Sequence, residues 1–283
     1  MSRARRRILS RAAAAAVLAV ALSPVALRAA PERADRPPPA AAPVFQILDE
    51  SPGLSLHDEM YVLPFSHADR YHGSRSEVVF QLSGKQTVFT PRLYFAYRQV
   101  SFWQAYNVPE SSPFRDTDYN PELFYRLARR PWAGGSLGAD VGFEHESNGQ
   151  RDPVSRSWNQ VYVTPAWQRD RLLLRMELRW RLPERAKTGP SDPRGDDNPH
   201  ITDYLGRTDL HAYYRWRGGE QAHLLVRGNP ATGRGFVSLH LSRSLPHEPN
   251  AWLVLTISHG YGESLLDYDR KVSRVGLGFM LSR

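Results

Sequence analysis

The stretch Leu172-Leu173-Leu174-Arg175-Met176-Glu177-Leu178-Arg179-Trp180-Arg181-Leu182 decides the fold. Side chains alternate between two faces along a β-strand, so Leu172, Leu174, Met176, Leu178, Trp180 and Leu182 fall on one face and Arg175, Glu177, Arg179 and Arg181 on the other. The same period recurs elsewhere. Leu210, Ala212, Tyr214 and Trp216 oppose His211, Tyr213, Arg215 and Arg217; Val237, Leu239 and Leu241 oppose Ser238, His240 and Ser242; Val275, Leu277, Phe279 and Leu281 oppose Arg274, Gly276 and Gly278. Such segments near residues 57–65, 77–83, 93–104, 122–130, 137–147, 157–167, 171–182, 207–217, 221–228, 235–243, 251–259 and 272–281 make about twelve strands. Strands of about ten residues with aromatics toward their ends, an even strand count and charged opposite faces predict an all-β fold, a twelve-stranded antiparallel transmembrane barrel with a polar lumen.

The chain has 283 residues and no cysteine, so no disulfide supports it. Its formal charge of +8 would suggest an anionic partner, but Arg3, Arg5, Arg6, Arg7, Arg11 and Arg28 stand in the first thirty residues with no acid among them. Without those six the charge is +2, and no nucleic-acid partner is expected. The arginine-rich start, the apolar run Ala12–Leu22, Pro24 and the small residues Ala26, Ala29 and Ala30 read as a secretory signal peptide over residues 1–30. Residues 31–53, with Pro37-Pro38-Pro39-Ala40-Ala41-Ala42-Pro43, read as an extended linker, and residues 54–283 as the barrel.

The chemistry concentrates in Phe143-Glu144-His145-Glu146-Ser147-Asn148-Gly149, followed by Ser155-Arg156-Ser157-Trp158-Asn159. His145 and Ser147 share a strand face, and that face continues Leu137, Ala139, Val141 and Phe143. In a membrane barrel this is the lipid side, so a serine activated there by an imidazole would meet lipid esters. Asn159, on the face of Val161 and Val163 in the next strand, can hold the imidazole in the tautomer that leaves Nε2 free. A neutral amide suits this wall better than a carboxylate. A His and a Ser two apart also arise by chance, and two interfacial polar residues near a strand end are the competing reading.

The longer run resembles the signature of the outer membrane phospholipase A family. Its HxSNG followed by SRSWN is matched by His145, Ser147, Asn148 and Gly149, then Ser155, Arg156, Ser157, Trp158 and Asn159. Glu110-Ser111-Ser112-Pro113-Phe114-Arg115 with Tyr119, Asp196-Asp197-Asn198-Pro199 and Gly260-Tyr261-Gly262-Glu263-Ser264-Leu265 look like the same family. The resemblance implies a calcium-dependent hydrolase of phospholipid and lysophospholipid acyl esters, of A1 and A2 type, in the outer membrane. His145 would be base, Ser147 nucleophile, Asn159 the orienting group and the Gly149 N–H an oxyanion donor. It further implies Ca²⁺ held by Ser155, Asp197 and the Gln150 carbonyl together with Ser111 of the partner subunit, with Asp152 nearby, and a homodimer that switches activity on. Hard cations take oxygen ligands of this kind. Gln99 matches a polar residue at the family's dimer interface; a lumen-facing glutamine is the other reading, and the strand's alternation does not decide between them.

The chain departs from the family at Gln150, where relatives often have Arg, and at its Phe279–Arg283 end, which lacks the usual terminal aromatic. The Pro- and Gly-rich stretch from Pro183 to Pro199 is expected as a long extracellular loop. The alternative of a non-enzymatic barrel, a porin or structural protein, has no need of the His145, Ser147 and Asn159 arrangement. A soluble serine esterase would set G-x-S-x-G on a strand-to-helix elbow, whereas Gly134-Gly135-Ser136-Leu137-Gly138 leads into a strand pattern with no strand–helix alternation, and a zinc hydrolase would carry H-E-x-x-H, which does not occur.

Overall fold

The structure, a computed structural model, describes residues 45–50, 53–189, 192, 195–246 and 248–282. The expected signal peptide and most of the expected linker lie outside the described residues. Twelve long strands form the barrel: β1 Met60–Ala68, β2 Val78–Thr87, β3 Leu93–Trp103, β4 Phe114–Arg126, β5 Gly135–Ser147, β6 Ser157–Arg169, β7 Leu172–Arg181, β8 Thr208–Arg215, β9 Gln221–Asn229, β10 Arg234–Leu245, β11 Glu248–Tyr261 and β12 Lys271–Ser282. Each pairs antiparallel with the next, and β12 pairs with β1 through Val275↔His67 and Leu277↔Phe65, so the ring closes. Closure leaves no barrel edge without a partner, which is what permits a sheet to stand in hydrocarbon. No described helix is long and apolar enough to cross a membrane.

The alternation resolves into two walls. Val141, Phe143, Leu174, Met176, Trp180, Leu210, Leu253 and Leu277 point outward and are exposed, the arrangement expected of a lipid-facing surface. Inside, charged side chains are paired with one another around an apolar cluster that includes Leu63, Val79, Phe102 and Met280. Arg274 reaches Glu77 at 2.6 Å and Glu263 at 2.7 Å, Arg115 reaches Glu77 at 2.6 Å and Asp267 at 2.8 Å, and Arg126 reaches Asp140 at 2.7 Å. Arg179 pairs with Asp209 and Glu177. Breaking one partner of such buried pairs leaves an uncompensated charge, so the lumen is held as a set.

Two sequence expectations change. The fourth strand, expected over 122–130, runs Phe114–Arg126. Its inward positions are Asp116, Asp118, Asn120 and Glu122, residues poor at forming strands, and Pro121 interrupts the run. Polar lumen contacts, not propensity, hold it. Likewise the chain is packed before residue 54. Phe45, Ile47 and Leu48, around the 3-10 turn Gln46–Leu48, are buried against Ala166, Leu173 and Tyr213. The buried Lys85 ammonium donates to the Ile47 carbonyl at 3.1 Å and to the Leu56 carbonyl, and Arg126 donates to Asp49 O at 3.3 Å. The end of the expected linker is therefore folded against the barrel, at the end where the strands are joined by short turns.

Connections at the opposite end are longer, among them residues 104–113, 148–156, 182–207 and 262–270. There the short helix α1, Ile201–Leu205, packs with Leu265 and Tyr268 onto Trp158, which points into the barrel mouth. This packing anchors the 182–207 connection beside the β5–β6 rim.

Candidate active site

Strand β5 delivers His145 and Ser147 to its outer face, in series with the exposed Val141 and Phe143, while Glu144 is buried on the inner face. In the β5–β6 ladder His145 stands opposite Asn159 and Ser147 opposite Ser157. The imidazole Nδ1 and the Asn159 Oδ1 are 2.9 Å apart. Asn159 Nδ2 donates to Glu184 Oε1 at 3.3 Å. With its NH₂ engaged by a carboxylate, the amide turns its oxygen to the ring, so Nδ1 carries the proton and Nε2 has a free lone pair. Ser147 lies two residues along the same face, about 7 Å between Cα atoms at the strand rise, a span an imidazole can bridge.

The backbone under His145 is arranged around a missing donor. The β4–β5 ladder runs from Glu122↔Glu144 onward and from Tyr119↔Ser147, with a gap between, where Pro121 brings no N–H. Asn120 fills it from the inner side, its Nδ2 donating to Glu144 Oε2 at 3.2 Å and to the His145 carbonyl at 3.4 Å. Beyond Ser147 the buried Asn148 folds the 148–156 loop on itself: its Oδ1 accepts from Arg156 N at 2.9 Å and Gln150 N at 3.3 Å, and its Nδ2 donates to Val154 O at 2.9 Å. Gly149 follows at φ +63°, a left-handed conformation, and a Cβ there would come within 3.2 Å of the Tyr119 ring. Glycine is the residue that fits this place.

Next to Ser147 is a group of oxygen atoms. Ser155 Oγ donates to Asp197 Oδ2 at 2.6 Å, and Ser157 Oγ lies 3.4 Å from the same oxygen. The Lys187 ammonium joins Asp197 at 2.5 Å and also Asp152. Those hydrogen bonds raise Lys187 above the ordinary lysine value. Hydroxyls and carboxylates of this kind suit a hard cation, and two of the carboxylates already hold a positive charge. Asp196 and Asp197 are not merely solvated turn acids: Asp196 holds Arg181 at 2.6 Å, and Asn198 Oδ1 accepts from Ser157 N at 3.1 Å, so the 182–207 connection is tied to the rim. Gln150 is in the adjoining loop. Ser111 is elsewhere, at φ +59° after the 3-10 turn Val108–Glu110 at the same end of the barrel.

Gln99 stands on the outer wall. Its register partners Leu82 and Tyr119 are both exposed there, and it bridges Tyr97, whose hydroxyl donates to it at 2.8 Å, and Ser101, to which it donates at 3.0 Å. Tyr119 is also the partner of Ser147, so Gln99, Tyr119 and Ser147 occupy successive strands at one level.

Reading the sequence missed Glu184, Lys187 and the bridging position of Ser157. Glu184 and Lys187 belong to the long connection, and no local period places a loop residue. Ser157 was legible from its register opposite Ser147 once the β5–β6 hairpin is drawn.

A closed ring of twelve strands with an apolar outer wall and a charged lumen defines a transmembrane β-barrel of the outer-membrane kind. Within that class the chain belongs to the phospholipase A1 family, whose family model matches residues 49–281. A putative phospholipase A1 of Neisseria meningitidis is 33% identical over 260 residues, covering 81% of this chain and 65% of that protein. The chain thus spans a little under two thirds of that relative. Escherichia coli outer membrane phospholipase A superposes with a TM-score of 0.70 at 31% identity, covering 81% of this chain and 98% of that one, and its asparagine-to-alanine active-site mutant gives the same TM-score at 30%. The Salmonella typhi outer membrane phospholipase dimer with bound calcium superposes at 0.69 with 31% identity, covering 81% and 92%.

Proposed function

We propose that the chain is a calcium-dependent outer-membrane phospholipase that hydrolyses acyl esters of phospholipids and lysophospholipids at either acyl position, from a Ser147, His145 and Asn159 site on the lipid-facing wall. The observation that carries this reading is the 2.9 Å contact of His145 Nδ1 with Asn159 Oδ1 on the outer face, two residues along the strand from Ser147. It is supported by family membership and by the active-site asparagine of the E. coli relative.

In this reading Ser147 Oγ attacks the ester carbonyl while His145 Nε2 takes its proton and returns it to the leaving alcohol oxygen. The Gly149 N–H donates to the oxyanion, and water then cleaves the acyl-serine with His145 again as base. Asn159 keeps the ring in the useful tautomer, and Glu184 keeps Asn159 turned toward it. Ser155, Asp197 and the Gln150 carbonyl, with Ser111 of the partner subunit, would hold Ca²⁺, which would supply positive charge to stabilise the oxyanion. The Lys187 ammonium against Asp152 and Asp197 supports a cation at Asp197.

Two copies would join through the wall around Gln99, where a paired amide in an apolar surface fixes register. Residues 1–30 would serve as the export signal and the long connections would face the cell exterior. The test is fatty-acid release from mixed phospholipid and detergent micelles by the refolded mature chain. Release that needs calcium and appears with cross-linkable dimer supports the proposal; a folded dimer with calcium that releases nothing refutes it.

A further inference from the structure

A second constellation lies far from the outer wall, inside the barrel. Glu59, just before β1, projects across the lumen to His223 of β9 and His240 of β10, which stand directly opposite one another in their ladder. Glu59 Oε2 lies 3.0 Å from His223 Nδ1 and 2.7 Å from His240 Nδ1. Glu59 and His223 are buried at 2% and 6% exposure. The ligand atoms of the three residues all fall within 4.8 Å of one another.

We propose that Glu59, His223 and His240 form a transition-metal site of the zinc class within the lumen, distinct from the calcium site proposed above. One carboxylate with two imidazoles is the donor set borderline divalent metals take, whereas calcium favours oxygen alone. Bonds of about 2.0–2.1 Å to a tetrahedral ion set ligand atoms roughly 3.3 Å apart; the two carboxylate–imidazole contacts, at 3.0 and 2.7 Å, need open by about half an ångström at most, and the third separation is within 4.8 Å.

Four further observations point to a ligand. Glu59 Oε1 is buried and has no hydrogen-bond partner among the described residues, which is the oxygen a chelating carboxylate would turn to the ion. His223 Nε2 meets His211 Nδ1 at 3.0 Å, the outer contact that fixes which nitrogen of a metal-bound imidazole faces the ion. The rings are also held: His223 stacks on Tyr213 with centroids 4.0 Å apart, and His240 meets Tyr61 edge-on at 5.4 Å. A lumen cavity of about 180 Å³ borders all three residues and leaves room for a water ligand. Because Glu59 precedes the first strand while the histidines sit on β9 and β10, a bound ion braces the lumen across its width, beside the Phe45–Tyr213 packing of the N-terminal segment.

The test uses tag-free, refolded, full-barrel protein stripped with chelator and titrated with Co²⁺ and then Zn²⁺ while calcium is held in excess. The expected result is one Co²⁺ per chain with the visible absorption of a tetrahedral nitrogen and oxygen site, displaced by Zn²⁺. Glu59→Gln and His240→Asn each weaken it at least tenfold, and His211→Ala weakens it about 10- to 100-fold. Folding of each variant is read from heat-modifiable gel migration. Should a variant not fold, zinc X-ray absorption on the wild type decides, with two imidazoles expected in the coordination shell. No stoichiometric binding, binding unchanged in the folded variants, or a shell with fewer than two imidazoles overturns the proposal and leaves a hydrogen-bonded His–Glu group.

Discussion

His145 and Asn159 meet at 2.9 Å across the β5–β6 ladder, on the wall that carries Val141 and Phe143 rather than in the charged lumen. An imidazole and an amide that satisfy each other can stand on an apolar surface where an ionised pair could not. If this contact sets the tautomer, Asn159→Ala lowers kcat on the order of 10²-fold with KM little changed, whereas Asn159→Asp keeps an acceptor and retains more activity. Initial rates on micellar phospholipid, with KM and kcat separated, check it.

Glu184 acts one contact further out, through its 3.3 Å bond to Asn159 Nδ2. Glu184→Gln still presents an oxygen and should lose less than about threefold in kcat, while Glu184→Ala frees the amide to turn and loses about tenfold. The graded order Ala below Gln is the result to look for in the same assay.

Lys187 places an ammonium against Asp152 and Asp197, the carboxylates expected to serve a divalent cation. Ion pairs this exposed to water are worth about 0–1 kcal/mol, so Lys187→Gln should tighten calcium binding by a few-fold only. Isothermal titration of calcium into the refolded protein measures it. Weaker binding in the variant would mean that Lys187 organises the carboxylates instead of competing for them.

The N-terminal packing makes a prediction about stability. Phe45 is buried at 2% exposure against Tyr213 and under the Arg215 guanidinium, so Phe45→Ala should cost about 3–5 kcal/mol. Urea unfolding in detergent micelles, followed by tryptophan fluorescence, reports it. The outer-wall site is remote from this end, and calcium-dependent activity of the folded variant should persist.

What could be read from the sequence follows from period two. The alternation around Leu174 and Trp180 set the strand count, and the odd-numbered series from Leu137 to Ser147 put His145 outside before any register was known. Register could also be inferred for Asn159, since a hairpin of this length places it near His145. The start of β4 was hidden because its inward face is Asp116, Asp118 and Asn120, which read as loop until lumen partners are known, such as the Leu265 and Leu266 N–H groups that bond Asp118 and Asp116. Glu184, Lys187 and Asp197 converge only because the 182–207 connection returns to the rim through Arg181 and Asn198, a path no local pattern encodes. The Glu59, His223 and His240 group joins residues up to 181 apart in sequence, brought together by barrel closure alone.

The central claim is that Ser147, on the outer wall, carries the chemistry. The most direct measurement compares fatty-acid release by wild type and Ser147→Ala, both refolded, dimeric by cross-linking and supplied with calcium. The account predicts release by the wild type, none above background by the variant, and unchanged heat-modifiable migration of both. Equal release from the two folded proteins would contradict it.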